Sequence, residues 1–301
     1  MFCIVLHDSI THIHNDYINK LSALCINTKK VNINFVNIDD NSNQWYYKIL
    51  RPQILPVTCI FNESGKLIDI IPGNSIESMR YIANTIKTSK INPEFHFNQK
   101  YDFEKIQLIK YFDSIFKLHY AENDNENISY AIDSLLNISL HPYLIYMRMK
   151  HSQLMGEDYE AYNSACEFLA TYNASDNIVL YHDEYIEANT YIDSNYFIKA
   201  PIIDITHDLV EINYKPGEIT CFNIPIKNIG LNPLRIYNII LGCGCIELIG
   251  EKSSYIESGQ STFFTFKIKP TPNELGYRDI FIVSNAINGP TTRISIKTNL
   301  N

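Results

Sequence analysis

The sequence predicts a multidomain α/β + α + β chain, and three observations carry that prediction. Residues 1–90 alternate short apolar strands with amphipathic helices. Residues 100–195 keep an apolar period near that of a helix, and residues 198–301 switch to a period of two broken by turn residues. A chain of 301 residues suits two or three domains better than one. The boundaries read as 1–95, 96–197 and 198–301.

Composition narrows the function classes. With 46% hydrophobic residues the chain can bury real cores and is not disordered. The net charge of -8 comes without any Lys/Arg stripe, so a nucleic-acid partner is not expected. No apolar run reaches the roughly 18 residues of a membrane-spanning helix, so no transmembrane segment is expected. Met1 to Leu6 is a strand-like run rather than the basic start, apolar stretch and small-residue cleavage site of a secretory signal. That start reads as cytoplasmic, or as a processed form.

In the first segment, Cys3 to Leu6 reads as a buried strand. Asp8 or Ser9 caps a helix running to about Cys25, with Ile10, Ile13, Tyr17, Leu21 and Leu24 on one face. Val31 to Ile38 alternates as a strand, and Asn41 to Leu50 is a short helix carrying Trp45. Leu55 to Phe61 is a strand, turned by Asn62-Glu63-Ser64-Gly65-Lys66 into Leu67 to Ile71. Ser75 caps a closing helix with Met79, Ile82 and Ile86 inward. The order is βαβαββα.

With Ile54-Leu55-Pro56-Val57-Thr58-Cys59-Ile60-Phe61, then Ser64-Gly65-Lys66-Leu67-Ile68 and Pro72-Gly73, this segment resembles the thioredoxin fold. The resemblance implies that Pro56 is cis and faces the start of the first helix. It also implies a binding groove at Ser9, His12 and Pro56. The family's Cys-x-x-Cys would open that helix, yet residues 4–24 contain no cysteine. Thiol–disulfide exchange needs a thiolate, so dithiol chemistry is not expected in this head. His7, Asp8, His12, His14 and Asp16 stand there instead. His with carboxylate suits zinc. However, His12 and His14, two apart on a helix, diverge, and the cluster reads as polar residues solvating a helix start. Ser9 with His12 resembles a nucleophile and base, but no third group orients them.

The middle segment carries four or five amphipathic helices. Their stripes are Ile109, Phe112, Phe116 and His119; then Ile128, Ala131 or Ile132, and Leu135; then, after Pro142, Leu144, Met147 and Leu154. Next come Tyr159, Tyr162, Cys166 and Leu169, and finally Ile178, Tyr181, Tyr185 and Ala188. The half-polar Tyr residues suit an interface, so the helices are expected to pack on a neighbour through Tyr. The acidic run 122–126 reads as a solvated loop.

The last segment offers strands at 202–205, 209–214, 219–227, 234–241, 262–268, 278–284 and 292–297. Turns such as Lys215-Pro216-Gly217 and Asn288-Gly289-Pro290 separate them, which argues a β-sandwich. Its run of Ile226-Lys227-Asn228-Ile229-Gly230, Asn232-Pro233-Leu234-Arg235-Ile236, Gly242-Cys243-Gly244-Cys245, Glu257-Ser258-Gly259-Gln260 and Phe263-Phe264-Thr265-Phe266 resembles a bacterial immunoglobulin-like domain with a Cys-Gly-Cys signature. Ile246 departs from the small residue that usually follows the second cysteine. The resemblance implies a cell-envelope or periplasmic setting and no particular activity.

Cys243 and Cys245 are the candidate catalytic residues. Three readings stand: packed thiols on one strand face, a labile disulfide, or metal ligands lacking further partners. The other five cysteines read as small buried hydrophobes. The expected function is therefore a non-catalytic envelope protein that binds a protein or peptide, with no cofactor and no metal. The alternative is thiol–disulfide exchange at Cys243 and Cys245.

Overall fold

A computed structural model describes residues 1–9, 14–24, 26–27, 30–93, 103–120, 125–172, 177–206, 208–214, 218–269 and 276–300. His12, Cys25, loop residues 122–124 and the turn 215–217 lie outside the described residues. The fold mixes helices with one mixed sheet in the first part and two further sheets in the last. The chain divides into two compact units, Met1–Tyr143 and Leu144–Asn301. The segment 96–197, read from the sequence as one helical part, is shared between them.

The first unit is built on a sheet of order β2-β1-β3-β4. Strand β1 (Phe2–His7) pairs parallel with β2 (Asn32–Asn37) and antiparallel with β3 (Val57–Phe61). Strand β4 (Leu67–Pro72) returns beside β3 through the Asn62–Lys66 turn, where Gly65 sits at φ +78°. A left-handed φ of this kind favours glycine. Helices α1 (His14–Ala23), α2 (Gln44–Leu50) and α3 (Ile76–Thr88) follow the expected order. Ser75 caps α3 by accepting a hydrogen bond from the Ser78 N–H at 3.1 Å. Cys3, Val5, Tyr17, Leu21, Ile60, Ile71, Met79 and Ile82 form one buried core.

Helix α4 (Lys105–His119) is tied to this sheet. It buries Ile109, Phe112 and Phe116, as its spacing predicts. Lys105 Nζ meets Asp69 Oδ1 on β4 at 2.8 Å, with both side chains buried. Asp69 also accepts from the Asn92 N–H and from the Thr85 hydroxyl. Asp113 Oδ1 accepts from the Leu67 N–H at 2.7 Å. Helix α5 (Asn125–Ile138) packs on α4.

The second unit begins within helix α6 (Pro142–Met155) and continues through α7 (Asp158–Tyr172), α8 (Asn177–Leu180), α9 (His182–Ile192) and α10 (Tyr196–Lys199). The stripe expected on α7 is reversed. Tyr159, Tyr162 and Cys166 are exposed, while Ala161, Ala165, Phe168 and Tyr172 are buried. The small alanines let α7 and α9 approach closely, and the larger tyrosines turn outward with their hydroxyls in water. Leu154 on α6 is likewise exposed. Tyr172, Tyr181 and Tyr196 are buried, and Tyr172 stacks on Tyr185 with ring centroids 4.1 Å apart.

Among the described residues, nine strands complete this unit. One sheet has the order β10-β8-β12-β13-β6, from β6 (Leu209–Tyr214), β8 (Leu234–Leu241), β10 (Ser254–Ile256), β12 (Gly276–Ser284) and β13 (Thr291–Leu300). The other has the order β5-β7-β11-β9, from β5 (Ile203–Asp204), β7 (Thr220–Asn228), β9 (Ile246–Ile249) and β11 (Ser261–Ile268). Residues of both sheets, among them Ile224, Ile226, Ile236, Phe266, Ile280 and Ile294, share one core. The short strands β9 and β10 have no counterpart in the sequence reading, because three or four residues give no readable alternation.

The Asn-x-Gly at the end of β7 joins the strands to the helices. Asn228 is fully buried. Its Oδ1 accepts from the Gly230 N–H at 3.0 Å, and its Nδ2 donates to the carbonyls of Asn232 at 2.8 Å and Ile256 at 3.0 Å. Gly230 is pressed on the segment after α10: a Cβ there would sit 2.2 Å from the Ala200 carbonyl oxygen and 2.6 Å from the Ile202 nitrogen. The Asn232 N–H donates to the Lys199 carbonyl, and the Ile287 N–H to the Pro201 carbonyl. Tyr237 on β8 lies within electrostatic reach of Tyr172, Tyr185 and Tyr196. Backbone hydrogen bonds from Asn232 and Ile287 thus tie the segment around α10 to the strands of this unit.

Candidate functional site

The carboxyl end of β1 gathers the residues singled out in the head. The ladder sets Leu6 opposite Val57, so the next residues outward, His7 and Pro56, end the two strands together. The Leu55–Pro56 peptide is cis. His7 is nearly buried, and its Nδ1 contacts the Asp8 carbonyl at 2.8 Å. A carbonyl only accepts, so Nδ1 is the donor in this contact. The His7 Nε2 lies 3.2 Å from His14 Nε2 at the start of α1, within hydrogen-bond distance. The His14 ring also packs on Phe35, with centroids 4.2 Å apart.

Ser9 faces elsewhere. Its hydroxyl donates to Asp39 Oδ2 at 2.5 Å and its N–H to the same oxygen at 2.7 Å. These two bonds hold the Asp39 carboxyl below the usual carboxylate range. With its carboxyl held low, Asp39 is a weak base for that hydroxyl. Asp16, another member of the cluster, pairs with Lys20 at 2.7 Å. Among the described residues no three His, Cys, Asp or Glu side chains converge to hold a metal ion.

The head holds no reactive thiol among its described cysteines. Burial pushes the Cys3 thiol up to about 12, and pushes Cys59 upward as well. Thiols of that kind are inert at neutral pH.

One segment beside Pro56 is unusual. Gln53, Ile54 and Leu55 lie between Pro52 and Pro56 and make no hydrogen bond among the described residues. Ile54 is 59% exposed, a high figure for an isoleucine next to a sheet. No reading of single residues finds this segment; its signal is the pair of prolines bracketing an apolar step.

In the second unit, Cys243 and Cys245 form a disulfide across a turn, with Cα atoms 5.3 Å apart. The sequence left packed thiols and metal ligation open beside this. Gly242 fits close under β12, where a Cβ would lie 2.7 Å from the Asp279 carbonyl oxygen. Gly244 faces open space. Arg278, absent from the sequence candidates, donates from Nε to Cys245 Sγ at 2.9 Å. Only the pairing of β12 with β8, through Ile280 opposite Leu241, brings it there. Of the cysteines expected to be buried, Cys166 and Cys221 are exposed.

No helix among the described residues is long and apolar enough to cross a membrane. No family model matches the chain. No curated protein matches it either. Among solved structures, a protein of unknown function from Porphyromonas gingivalis W83 aligns at 22% identity and a TM-score of 0.31, over 34% of this chain and 48% of that one. The chain thus spans about half the length of that protein. The ASH / PapD-like domain of human CEP192 aligns at 11% identity and a TM-score of 0.28, over 34% of this chain and 87% of that one. The YadV chaperone aligns at 16% identity and a TM-score of 0.24, over 33% of this chain and 52% of that one.

Proposed function

We propose that the protein is a non-catalytic, peptide- or protein-binding component of the bacterial cell envelope, with a thioredoxin-like head lacking its dithiol and an immunoglobulin-like tail. The observation that carries the reading is the segment Gln53–Leu55: unpaired backbone and an exposed Ile54 beside the cis Pro56 and the His7–His14 pair. Such a segment suits strand addition, in which main-chain hydrogen bonds give affinity and an apolar step gives specificity. The burial of Cys3 and Cys59, which raises both thiols, supports a non-catalytic head. The strand order β2-β1-β3-β4 supports the fold of the head, and two sheets around one core support that of the tail. The envelope setting rests on the Cys-Gly-Cys resemblance.

The test is selection of peptides from a random dodecamer display library on the immobilised full chain. Selected peptides are expected to lose about tenfold or more in affinity with Ile54→Asp, since burying an unpaired carboxylate costs more than 1.4 kcal/mol. Replacement of both Cys243 and Cys245 by Ser is expected to leave their binding unchanged. Binding insensitive to Ile54→Asp contradicts the reading. A second reading, thiol–disulfide exchange at Cys243 and Cys245, is favoured by the disulfide itself.

A further inference from the structure

The two sulfurs of the Cys243–Cys245 disulfide, both packed at the edge of the second unit's apolar core, differ in their polar contacts. Among the described residues Cys245 alone of the two meets a cation: Arg278 Nε donates to its Sγ at 2.9 Å. The guanidinium is fixed there by two more bonds, from Nη1 to Thr298 Oγ1 at 3.0 Å and to the Gly276 carbonyl at 3.3 Å. No carboxylate pairs with Arg278 among the described residues. A neutral disulfide sulfur is a weak acceptor, so the third bond gains little in the oxidised state. A thiolate in the same place would be held by a charge-assisted bond, roughly twice as strong as a neutral one. Both cysteines are partly exposed, and Gly244 between them leaves open space.

We propose that this disulfide is a directional exchange centre in which Arg278 makes Cys245 the leaving sulfur and Cys243 the attacked one. The inference rests on the second reading above. The co-reactant is a low-molecular-weight thiol in its thiolate form. Its sulfur attacks Cys243 Sγ, the Cys243–Cys245 bond breaks, and the electron pair of that bond stays on Cys245 as a thiolate facing Arg278. The product is a mixed disulfide at Cys243. A second thiol attacking the incoming sulfur completes the reduction, releasing the small disulfide and leaving Cys243 as a thiol. In reverse, the Cys245 thiolate closes the ring and expels the small thiol. Arg278 touches Cys245 directly and acts on the reacting atom through charge alone.

The probe is reduced glutathione on the full chain, with iodoacetamide quenching and fragment mass spectrometry to place the label. The expected result is glutathione on Cys243 and the alkyl group on Cys245. In separate single variants, the lone Cys245 of Cys243→Ser is expected to ionise about one unit or more below the ordinary cysteine value of about 8.5, and the lone Cys243 of Cys245→Ser near that value. Arg278→Gln in the Cys243→Ser background is expected to erase the difference. The two single variants, read at the residue by fragment mass spectrometry, keep the test valid if Arg278→Gln fails to fold. Glutathione found on Cys245, or on both sulfurs equally, overturns the direction of exchange while leaving the exchange reading intact. A disulfide that resists glutathione defeats both.

Discussion

Asn228 and Gly230 show what an Asn-x-Gly does at the end of a strand. The fully buried amide satisfies four backbone groups, and the glycine lets the chain after α10 pass within contact distance. Asn228→Ala is expected to cost roughly 1–3 kcal/mol for each backbone group left unpaired. Gly230→Ala should cost about 1–3 kcal/mol or more from overpacking against backbone that has no room to yield. Thermal or urea denaturation of the two variants checks both. His141 provides a pH test in the first unit. It is buried with Nε2 at 3.1 Å from the Ile49 carbonyl, and burial lowers it to about 4. The unfolded state therefore binds a proton near pH 6.5 that the folded state refuses until about pH 4. Stability should be full above pH 6.5, fall on the order of 3 kcal/mol between pH 6.5 and 4, and level off below. His119 and His182, also lowered by burial, act in the same direction. His141→Gln should flatten the profile, which denaturation midpoints across that range would report.

At the scale of elements, long and strongly patterned segments were legible and short or small-residue ones were not. The βαβαββα order, the Gly65 turn and the buried face of α4 follow from spacing, and each matches the structure. Helix α7 does not, because a sequence reader follows the large Tyr side chains while packing follows Ala161 and Ala165. The site divides the same way. His7, His14 and Pro56 were visible as residue types, and the structure brings them together. Ser9 was visible but turns to Asp39, a partner thirty residues away. Arg278 was invisible because strand pairing, not spacing, delivers it. Helix α4 carries its own prediction. Its buried Lys105–Asp69 pair is completed by Thr85 and Asn92, so losing one member strands a charge. Lys105→Met alone should destabilise by about 3–5 kcal/mol, whereas Lys105→Met with Asp69→Leu should recover much of that loss. A double-mutant cycle read by urea unfolding measures the coupling.

At the scale of the whole molecule, the proposed reading places peptide binding in the head and any thiol chemistry at the Cys243–Cys245 pair. Purified protein should therefore not reduce insulin at the rate of a dithiol enzyme. Residual turnover should disappear when Cys243 and Cys245 are both Ser, and turnover surviving that change would place a reactive thiol where the account has none. The central claim, that partners pair beside Pro56, is tested most directly by nuclear magnetic resonance of the full chain titrated with a display-selected peptide. The account predicts shifts concentrated at the amides of Gln53, Ile54, Leu55 and Val57 and at the ring protons of His7 and His14. Shifts confined to the second unit, with those signals unmoved, would contradict it.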